Sequence, residues 1–426
     1  MRICVVGAGY VGLTTATALA DFGHEVQCVD IDQAKIESLR QGKVPFYEQG
    51  LQELMNINHQ NGRLHFSIQV EENIRDSPIV LIAVDTPPKE DGSSNLSNIH
   101  SVVETIASNI KGYKLIITKS TVPPGTNALL YQMLLDKGVE EDLFDIVSNP
   151  EFLREGTALW DIKHPNKIVF GTRSERPIKI LKKLYQKGKA SYIFTSLTGA
   201  ELIKYASNTF LATKISFANE MARICDAFEV NYIDVAKGLG TDPRINRHFL
   251  NAGLGFGGSC LPKDLCALKD AAMRQNVETK LLDAVMAIND TQIDIYLKKL
   301  RTVLPNLEGK QITVWGLTFK PHTDDLRTSP AIALIKQLIR KGCYVHTYDP
   351  MVQQELANVS NFNDQYESVK NSDALIIATE WEQFHECDWS EVKSRMKASI
   401  ILDARNCIDE KIVRNEGFIY LGVGKP

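Results

Sequence analysis

The first thirty residues constrain the fold more than any other part of the chain. Arg2-Ile3-Cys4-Val5-Val6 is a short strand-like run, Gly7-Ala8-Gly9-Tyr10-Val11-Gly12 follows it directly, and Leu13–Phe22 reads as a helix. A second apolar run, Val26–Val29, ends in Asp30. Strand, glycine turn, helix, strand and acid in this order specify a βαβ unit built to hold a dinucleotide. Gly7 permits the tight turn, Gly9 lets the backbone approach a pyrophosphate, and Gly12 lets helix and strand pack closely. The start of the helix offers N–H donors and the positive end of its dipole to phosphates. Asp30 would accept from the ribose hydroxyls and repel a 2′-phosphate, which favours NAD over NADP. Lys35 either reaches the same ribose or is a solvated helix residue.

The rhythm continues. Ile79–Val84, Leu115–Thr118 and Ile146–Ser148 are continuous apolar runs of strand length separated by helical patterns. Strands apolar on both faces that alternate with helices indicate a parallel sheet covered on both sides. Near Thr198 the pattern changes. Thr198-Gly-Ala-Glu201 reads as a capping box that opens a long helix reaching Phe228. Further helices follow Pro262 and cover about 279–303, with a Gly-rich interruption at Asn251–Cys260. From Lys310 the α/β rhythm resumes, with strands at Gln311–Trp315, Tyr344–Tyr348, Ala374–Ala378 and Ser399–Leu402. The helix Pro330–Lys341 there is capped by Ser329. The expected fold is α/β: two Rossmann-like doubly wound domains, 1–196 and 301–426, joined by a long central helix within a helical segment, 197–300. A chain of 426 residues has room for roughly three domains.

Composition removes several alternatives. A net charge of −4 gives no basic field for nucleic acid. No apolar run approaches the roughly 18 residues of a membrane span. The chain begins on a strand without the features of a signal peptide, so a cytoplasmic protein is expected. Eight cysteines are scattered without a CxxC pair, which speaks against a disulfide framework. Nine histidines show no HxxxH spacing, and no metal site is expected.

Among the cysteines, Cys260 is different. Gly255-Phe-Gly257-Gly258-Ser-Cys260-Leu-Pro262-Lys263-Asp264 puts it at the start of a helix beside a lysine, where dipole, N–H groups and cation favour thiolate. Asp264 lies one turn on. A thiolate in an NAD enzyme allows an aldehyde to be held as a thiohemiacetal, oxidised to a thioester and hydrolysed to an acid. Lys204 and Asn208, at i and i+4 on one helix, have the chemistry of an oxyanion clamp. Glu151 and Glu155 follow a strand end and offer acid/base and binding groups. Thr86 and Thr121 precede prolines at two other strand ends, where ligands of doubly wound sheets lie. A buried structural thiol, a solvated helix face and turn-forming hydroxyls are the plainer readings of these groups.

Taken together, the segments resemble the UDP-glucose 6-dehydrogenase family, within the nucleotide-sugar dehydrogenases, from end to end. The resemblance rests on GAGYVG at 7–12, PFYEQGL at 45–51, VDTPP at 84–88, STVPPGT at 120–126, NPEFLREG at 149–156, ELIKYASN at 201–208, GFGGSCLPKD at 255–264 and GLTFKPHTDDLRTSP at 316–330. It implies oxidation of UDP-glucose to the uronate with two NAD per sugar, through a Cys260 thioester. Lys204 and Asn208 would stabilise oxyanions, Thr121 and Asp264 would position water, and Glu151 would be an acid/base. Gly7, Gly9, Tyr10, Val11, Gly12, Asp30, Lys35, Thr86, Thr121, Glu155, Lys263 and Arg327 fall where the family contacts NAD. Glu151, Phe152, Leu153, Arg154, Glu155, Lys204 and Asn208 fall on substrate contacts. So do Phe249, Leu250, Asn251, Ala252, Gly253, Gly257, Phe319 and Lys320. Arg244 matches an arginine lent by a neighbouring subunit, and the helical middle matches a dimerisation segment, so a homodimer or larger homo-oligomer is implied. The residues alone leave open another sugar (UDP-N-acetylhexosamine or GDP-mannose), a two-electron alcohol dehydrogenase, or a binding protein without turnover.

Overall fold

Ile3 and Val5 belong to one apolar cluster and Cys4 and Val6 to another, and all four are buried. Successive strand residues point to opposite faces, so this strand is covered on both sides. The computed structural model describes residues 1–185, 190–352 and 357–425. They form two units, Met1–Ser207 with Cys266–Val277, and Asn208–Leu265 with Glu278–Pro426.

The first unit is built on β1 (Arg2–Val6), β2 (Glu25–Val29), β3 (Leu64–Ser67), β4 (Ile79–Ile82), β5 (Lys114–Thr118), β6 (Phe144–Ser148), β7 (Lys167–Thr172) and β8 (Ser191–Thr195). Their order is β3-β2-β1-β4-β5-β6-β7-β8. Ile3 pairs with Val26 on one side and Ile79 on the other, both parallel. The helix Tyr10–Asp21 lays Leu13, Ala16 and Leu19 on the Ile3/Val5 face. The helix Ser97–Asn109 lays Ile99, Val103 and Ile106 on the Cys4/Val6 face. Each of these leucine, isoleucine and valine side chains contributes roughly 1.5–3 kcal/mol on burial. The parallel pattern stops at β7, which runs antiparallel to β6 with Val147 opposite Thr172.

The second unit contains β9 (Gln311–Trp315), β10 (Tyr344–Tyr348), β11 (Val359–Asn361), β12 (Ala374–Ile377), β13 (Ile400–Asp403) and β14 (Ile419–Gly422), all parallel, in the order β11-β10-β9-β12-β13-β14. Ser329 caps the helix Pro330–Arg340 by accepting from Ala331 N–H, as its position before Pro330 implies. Ala218, Ala222 and Cys225 of the long helix Leu197–Ala227, with Ile293, Tyr296 and Leu297 of Lys280–Val303, share one apolar cluster with Ile312 and Val314 of β9. Of the helical segment, Asn208–Leu265 and the helix Lys280–Val303 therefore pack as part of this unit, whereas its first residues up to Ser207 and Cys266–Val277 belong to the first.

The capping box expected at Thr198 is not formed. Thr198 lies inside the long helix, and Ser196 Oγ accepts from Gly199 N–H instead. Glu201 turns elsewhere. It is buried, and its carboxylate accepts from Gly125 N–H at 2.5 Å and from the N–H and Nδ2 of Asn127 at 2.7 Å each. It thereby caps another helix, Thr126–Asp136, whose first turn has no side-chain cap of its own.

Candidate active site

The glycine turn has the geometry its sequence implies. Gly7 adopts φ +102°, and a Cβ there would meet Ala83 O at 2.5 Å. A Cβ on Gly12 would lie 1.9 Å from Gly7 O. Gly9 is open: its Cβ would approach only Asp85 Oδ1, at 3.7 Å, and no side chain caps the helix that begins at Tyr10. The N–H groups of that first turn and an unobstructed backbone suit a pyrophosphate. Asp30 stands at the end of β2. Its Oδ2 accepts from Ala8 N–H at 2.8 Å and Lys35 Nζ at 3.0 Å, and its Oδ1 from Asp32 N–H at 3.0 Å. Burial alone would raise its carboxyl, but these N–H groups and the Lys35 ammonium hold it below the usual range. Lys35 is thus neither simply solvated nor pointed away; it is the ion-pair partner of Asp30.

Tyr10 does more than fill the motif. Its hydroxyl bonds Glu48, and Gly156 N–H donates to Glu48 Oε2 at 2.7 Å. Leu159 N–H approaches Glu48 Oε1 at 3.4 Å. Glu48 is buried, and burial together with this carboxylate pushes the Tyr10 phenol up. Val11 follows in the same first turn. The loops after β4 and β5 grip one another: Thr86 Oγ1 donates to Thr121 O at 2.9 Å, and Ser120 Oγ to Val84 O at 2.7 Å.

Glu151 is buried just beyond β6. It accepts from Lys204 Nζ at 2.6 Å and from Leu153 N–H at 2.5 Å. Burial would raise its carboxyl, yet Lys204, the Leu153 N–H and Lys119 hold it below the usual range. Phe152 presents its ring to Lys167 Nζ, 4.3 Å from the centroid, and to Lys204 Nζ at 5.6 Å. Glu155 is half-buried. Arg154 is exposed and bound by Asp161, with Nη2 to Oδ1 at 2.6 Å.

In the other unit, Cys260 immediately precedes the helix Leu261–Arg274, and its carbonyl accepts from Asp264 N–H at 2.9 Å. Its Sγ lies 3.6 Å from Ser259 Oγ. Asp264 is buried, with Oδ2 accepting from Asn208 Nδ2 at 2.6 Å and Oδ1 from Lys263 Nζ at 2.8 Å. The Lys263 ammonium therefore serves Asp264. Cys260 is half-buried, whereas burial pushes the thiols of Cys4 and Cys387 up to about 12 and that of Cys343 to about 11. Such core thiols are inert at neutral pH.

The glycines before Cys260 bring backbone against protein. Gly258, at φ +84°, leaves 2.8 Å between a would-be Cβ and the Phe319 ring, and Gly257 leaves 2.3 Å to Thr328 O. Gly258 N–H donates to Arg327 O at 3.1 Å and Thr328 Oγ1 donates to Gly258 O at 2.7 Å. Arg327 itself pairs with Asp325 at 2.9 Å, and Lys320 Nζ lies 5.9 Å from the Phe319 centroid. In the segment 249–253, Phe249 is partly exposed at φ +63°, while Leu250 and Ala252 are buried and Asn251 is exposed. Gly253 is fixed by Asn219 Oδ1 and Gln292 Nε2 at 2.8 and 2.9 Å. Arg244 is exposed and paired with Asp242. The sequence reading passed over Glu48, Asn149, Lys119 and Asn219. Each is polar and buried, and only a buried position distinguishes it from a surface residue.

The comparisons with known proteins agree with this construction. The NAD binding domain, the central domain and the UDP binding domain of the UDP-glucose/GDP-mannose dehydrogenase family match residues 1–189, 198–291 and 313–410. The chain is 47% identical to YtcA of Bacillus subtilis (strain 168), provisionally named a UDP-glucose 6-dehydrogenase, over all of both chains. It is 40% identical to a UDP-glucose 6-dehydrogenase of Rhizobium meliloti (strain 1021), again over both full lengths. A UDP-glucose dehydrogenase structure from Pyrobaculum islandicum superposes with TM-score 0.93 at 35% identity, covering 100% of this chain and 98% of that one. A UDP-D-ManNAc dehydrogenase from Pyrococcus horikoshii superposes with TM-score 0.90 at 30% identity, covering 100% and 99%. With its NAD-binding and UDP-binding domains both matched, the chain belongs to the UDP-glucose/GDP-mannose dehydrogenase family.

Proposed function

We propose that this protein oxidises the 6-hydroxyl of UDP-glucose to a carboxylate, reducing two NAD per sugar and passing through a thioester on Cys260. The observation that carries the reading is the Cys260 helix start, with Asp264 one turn on and held from two sides by Asn208 and Lys263. A cysteine at a helix N-terminus is suited to nucleophilic attack, and a fixed carboxylate beside it is suited to directing water.

Bound NAD would accept the hydride of each two-electron step. In the first step the alcohol gives its proton to the Glu151 carboxylate and loses its hydride, becoming an aldehyde. Cys260 Sγ then adds to the aldehyde carbon, a C–S bond forms, and the oxyanion falls to Lys204 and Asn208. Loss of hydride from that carbon leaves the thioester. Water oriented by Asp264 and Thr121 attacks it, the C–S bond breaks, and the thiol and the acid are released. Glu151 rests as a carboxylate, which supports a role as a base rather than as a proton donor. Phe249–Gly253, Gly257, Phe319 and Lys320 would bind the nucleotide sugar. Asp30, Thr86, Glu155, Lys263 and Arg327 would serve the dinucleotide.

A homodimer is part of the same proposal. Phe210, Phe217 and Ile224 recur every seven residues along the long helix and are 64%, 43% and 43% exposed. An apolar stripe of that period suits a helix partner. Arg244, extended into solvent, could then serve a neighbouring subunit. The cytoplasm is the compartment proposed, where UDP-sugars and reduced thiols coexist.

The test is the yield of NADH per limiting sugar over a panel of UDP-glucose, UDP-N-acetylhexosamines and GDP-mannose. Two NADH and a uronate from UDP-glucose, at the highest kcat/KM of the panel, are expected. Preference for a UDP-N-acetylhexosamine would instead move the chain towards relatives such as that of Pyrococcus horikoshii. One NADH with an aldehyde product would overturn the thioester.

A further inference from the structure

Lys119 is a buried cation for which the reaction above has no use. It follows β5 directly, is only 7% exposed, and its N–H donates to Ile82 O at 2.8 Å. An ammonium has three protons to place. Among the described residues Lys119 Nζ has one hydrogen-bond acceptor, Asn149 Oδ1 at 3.4 Å, with the Tyr185 ring 5.8 Å away. Burying a charge with so few partners is costly unless an opposite charge offsets it. The charged groups that act on Lys119 are Glu151, in its favour, and Lys204, against it.

Asn149 is held in place independently. Its Nδ2 donates to Val169 O at 2.9 Å, its Oδ1 also accepts from Tyr185 O–H at 2.7 Å, and its N–H donates to Thr118 O at 2.9 Å. It stands two residues before Glu151, and both are buried. Lys119, Asn149 and Glu151 thus form a short, stiff path from β5 to the loop after β6.

We infer that Lys119 is a positioning residue for the Glu151–Lys204 pair. Its charge holds Glu151 as a carboxylate, and its bond to Asn149 helps fix the loop that carries Glu151. The inference rests on the proposed use of Glu151 and Lys204 in the reaction. Burial, with Lys204 adding to it, pushes the Lys119 ammonium down to about 8, while Glu151 pulls the other way. The device therefore weakens in mildly alkaline solution. Without the Lys119 charge, Glu151 would protonate more readily and Lys204 would lose a like-charged neighbour. Both groups would then titrate at higher pH.

The experiment measures kcat and both KM values from pH 6 to 10 for wild type, Lys119→Met and Lys119→Arg, with the nucleotide sugar turned over fastest, alongside thermal unfolding. Lys119→Met is expected to lose roughly 10- to 100-fold in kcat at pH 7.5, with KM values within about 3-fold and the acid limb of the kcat profile displaced upward. Lys119→Arg keeps the charge and should keep the wild-type acid limb, while the alkaline fall that follows loss of the Lys119 proton should move to higher pH. If Lys119→Met is poorly folded, Lys119→Arg decides alone: an unmoved acid limb with the alkaline limb displaced upward supports the inference, and a displaced acid limb or an unmoved alkaline limb sinks it. A folded Lys119→Met with wild-type limbs also sinks it. The reading of the reaction fails separately, through a fully active Cys260→Ser variant or through no nucleotide sugar being oxidised, and the inference then falls with it. An unmoved Lys119→Met profile beside an inactive Cys260→Ser refutes the inference alone.

Discussion

Asn208 donates its side-chain amide to Asp264 at 2.6 Å, tying the long helix to the first turn of the helix that Cys260 precedes. Lys263 holds the other oxygen of the same carboxylate at 2.8 Å. Asp264 is thus fixed in a buried place between two donors, an arrangement that suits the water-orienting role proposed for it.

If Asp264 directs the hydrolytic water, Asp264→Asn should form thioester and then stall. A first burst of NADH followed by turnover about 100-fold below wild type is expected, with substrate KM little changed. Rapid-quench measurement of NADH against uronate would show it. Parallel loss of the burst and of the steady rate would place Asp264 elsewhere in the reaction.

Cys260→Ser should form almost no uronate, because a hydroxyl at this position lacks the nucleophilicity of a thiolate. The loss expected is on the order of 1,000-fold or more. Limiting-sugar assays should find no second NADH. Retention of uronate formation at the wild-type rate is the contrary result.

Glu201 illustrates a structural motif residue. Glu201→Ala leaves the buried N–H groups of Gly125 and Asn127 without their acceptor. About 2–4 kcal/mol of stability should be lost, seen as a fall of several degrees in Tm. Burial already raises its carboxyl, so Glu201→Gln, which keeps an acceptor oxygen without the charge, should lose less. Equal losses in calorimetry would argue that the charge itself is required.

The depressed Lys119 ammonium has a stability signature. Its folded value is about 8 against 10.5 for an unperturbed lysine. Between those values the unfolded chain binds more protons, so stability rises with pH. The contribution is at most on the order of 3 kcal/mol. Thermal midpoints of wild type and Lys119→Met, compared from pH 7 to 10.5, should move in favour of wild type above pH 8. A difference independent of pH would mean that Lys119 does not titrate in this range.

Phe217→Asp places a charge on the exposed stripe of the long helix. If that stripe is the dimer seam, light scattering during gel filtration should show a shift to monomer. An unchanged oligomer would put the interface on another surface.

Much of the fold was readable because central strands are buried on both faces and so carry unbroken apolar runs. β1, β4, β5, β6, β9 and β12 were found this way, and β10 and β13 with them. The strands passed over include β3, β8, β11 and β14, which are the four sheet edges. Edge strands are half exposed and short, so their apolar signal is weak. β7 is apolar enough, but nothing local reveals that it runs antiparallel to β6.

The sequence by itself determined the dinucleotide turn, the position of Cys260 before its helix and the family, because each of these is written in residues adjacent along the chain. Tertiary structure alone decided the partners. Lys35 went to Asp30, Lys263 to Asp264, Lys204 to Glu151, and Glu201 to a helix start 74 to 76 residues earlier. A charged side chain has the same sequence signature whether it meets water or a buried partner. Its role is fixed only when folding removes the water and leaves it one group to pair with.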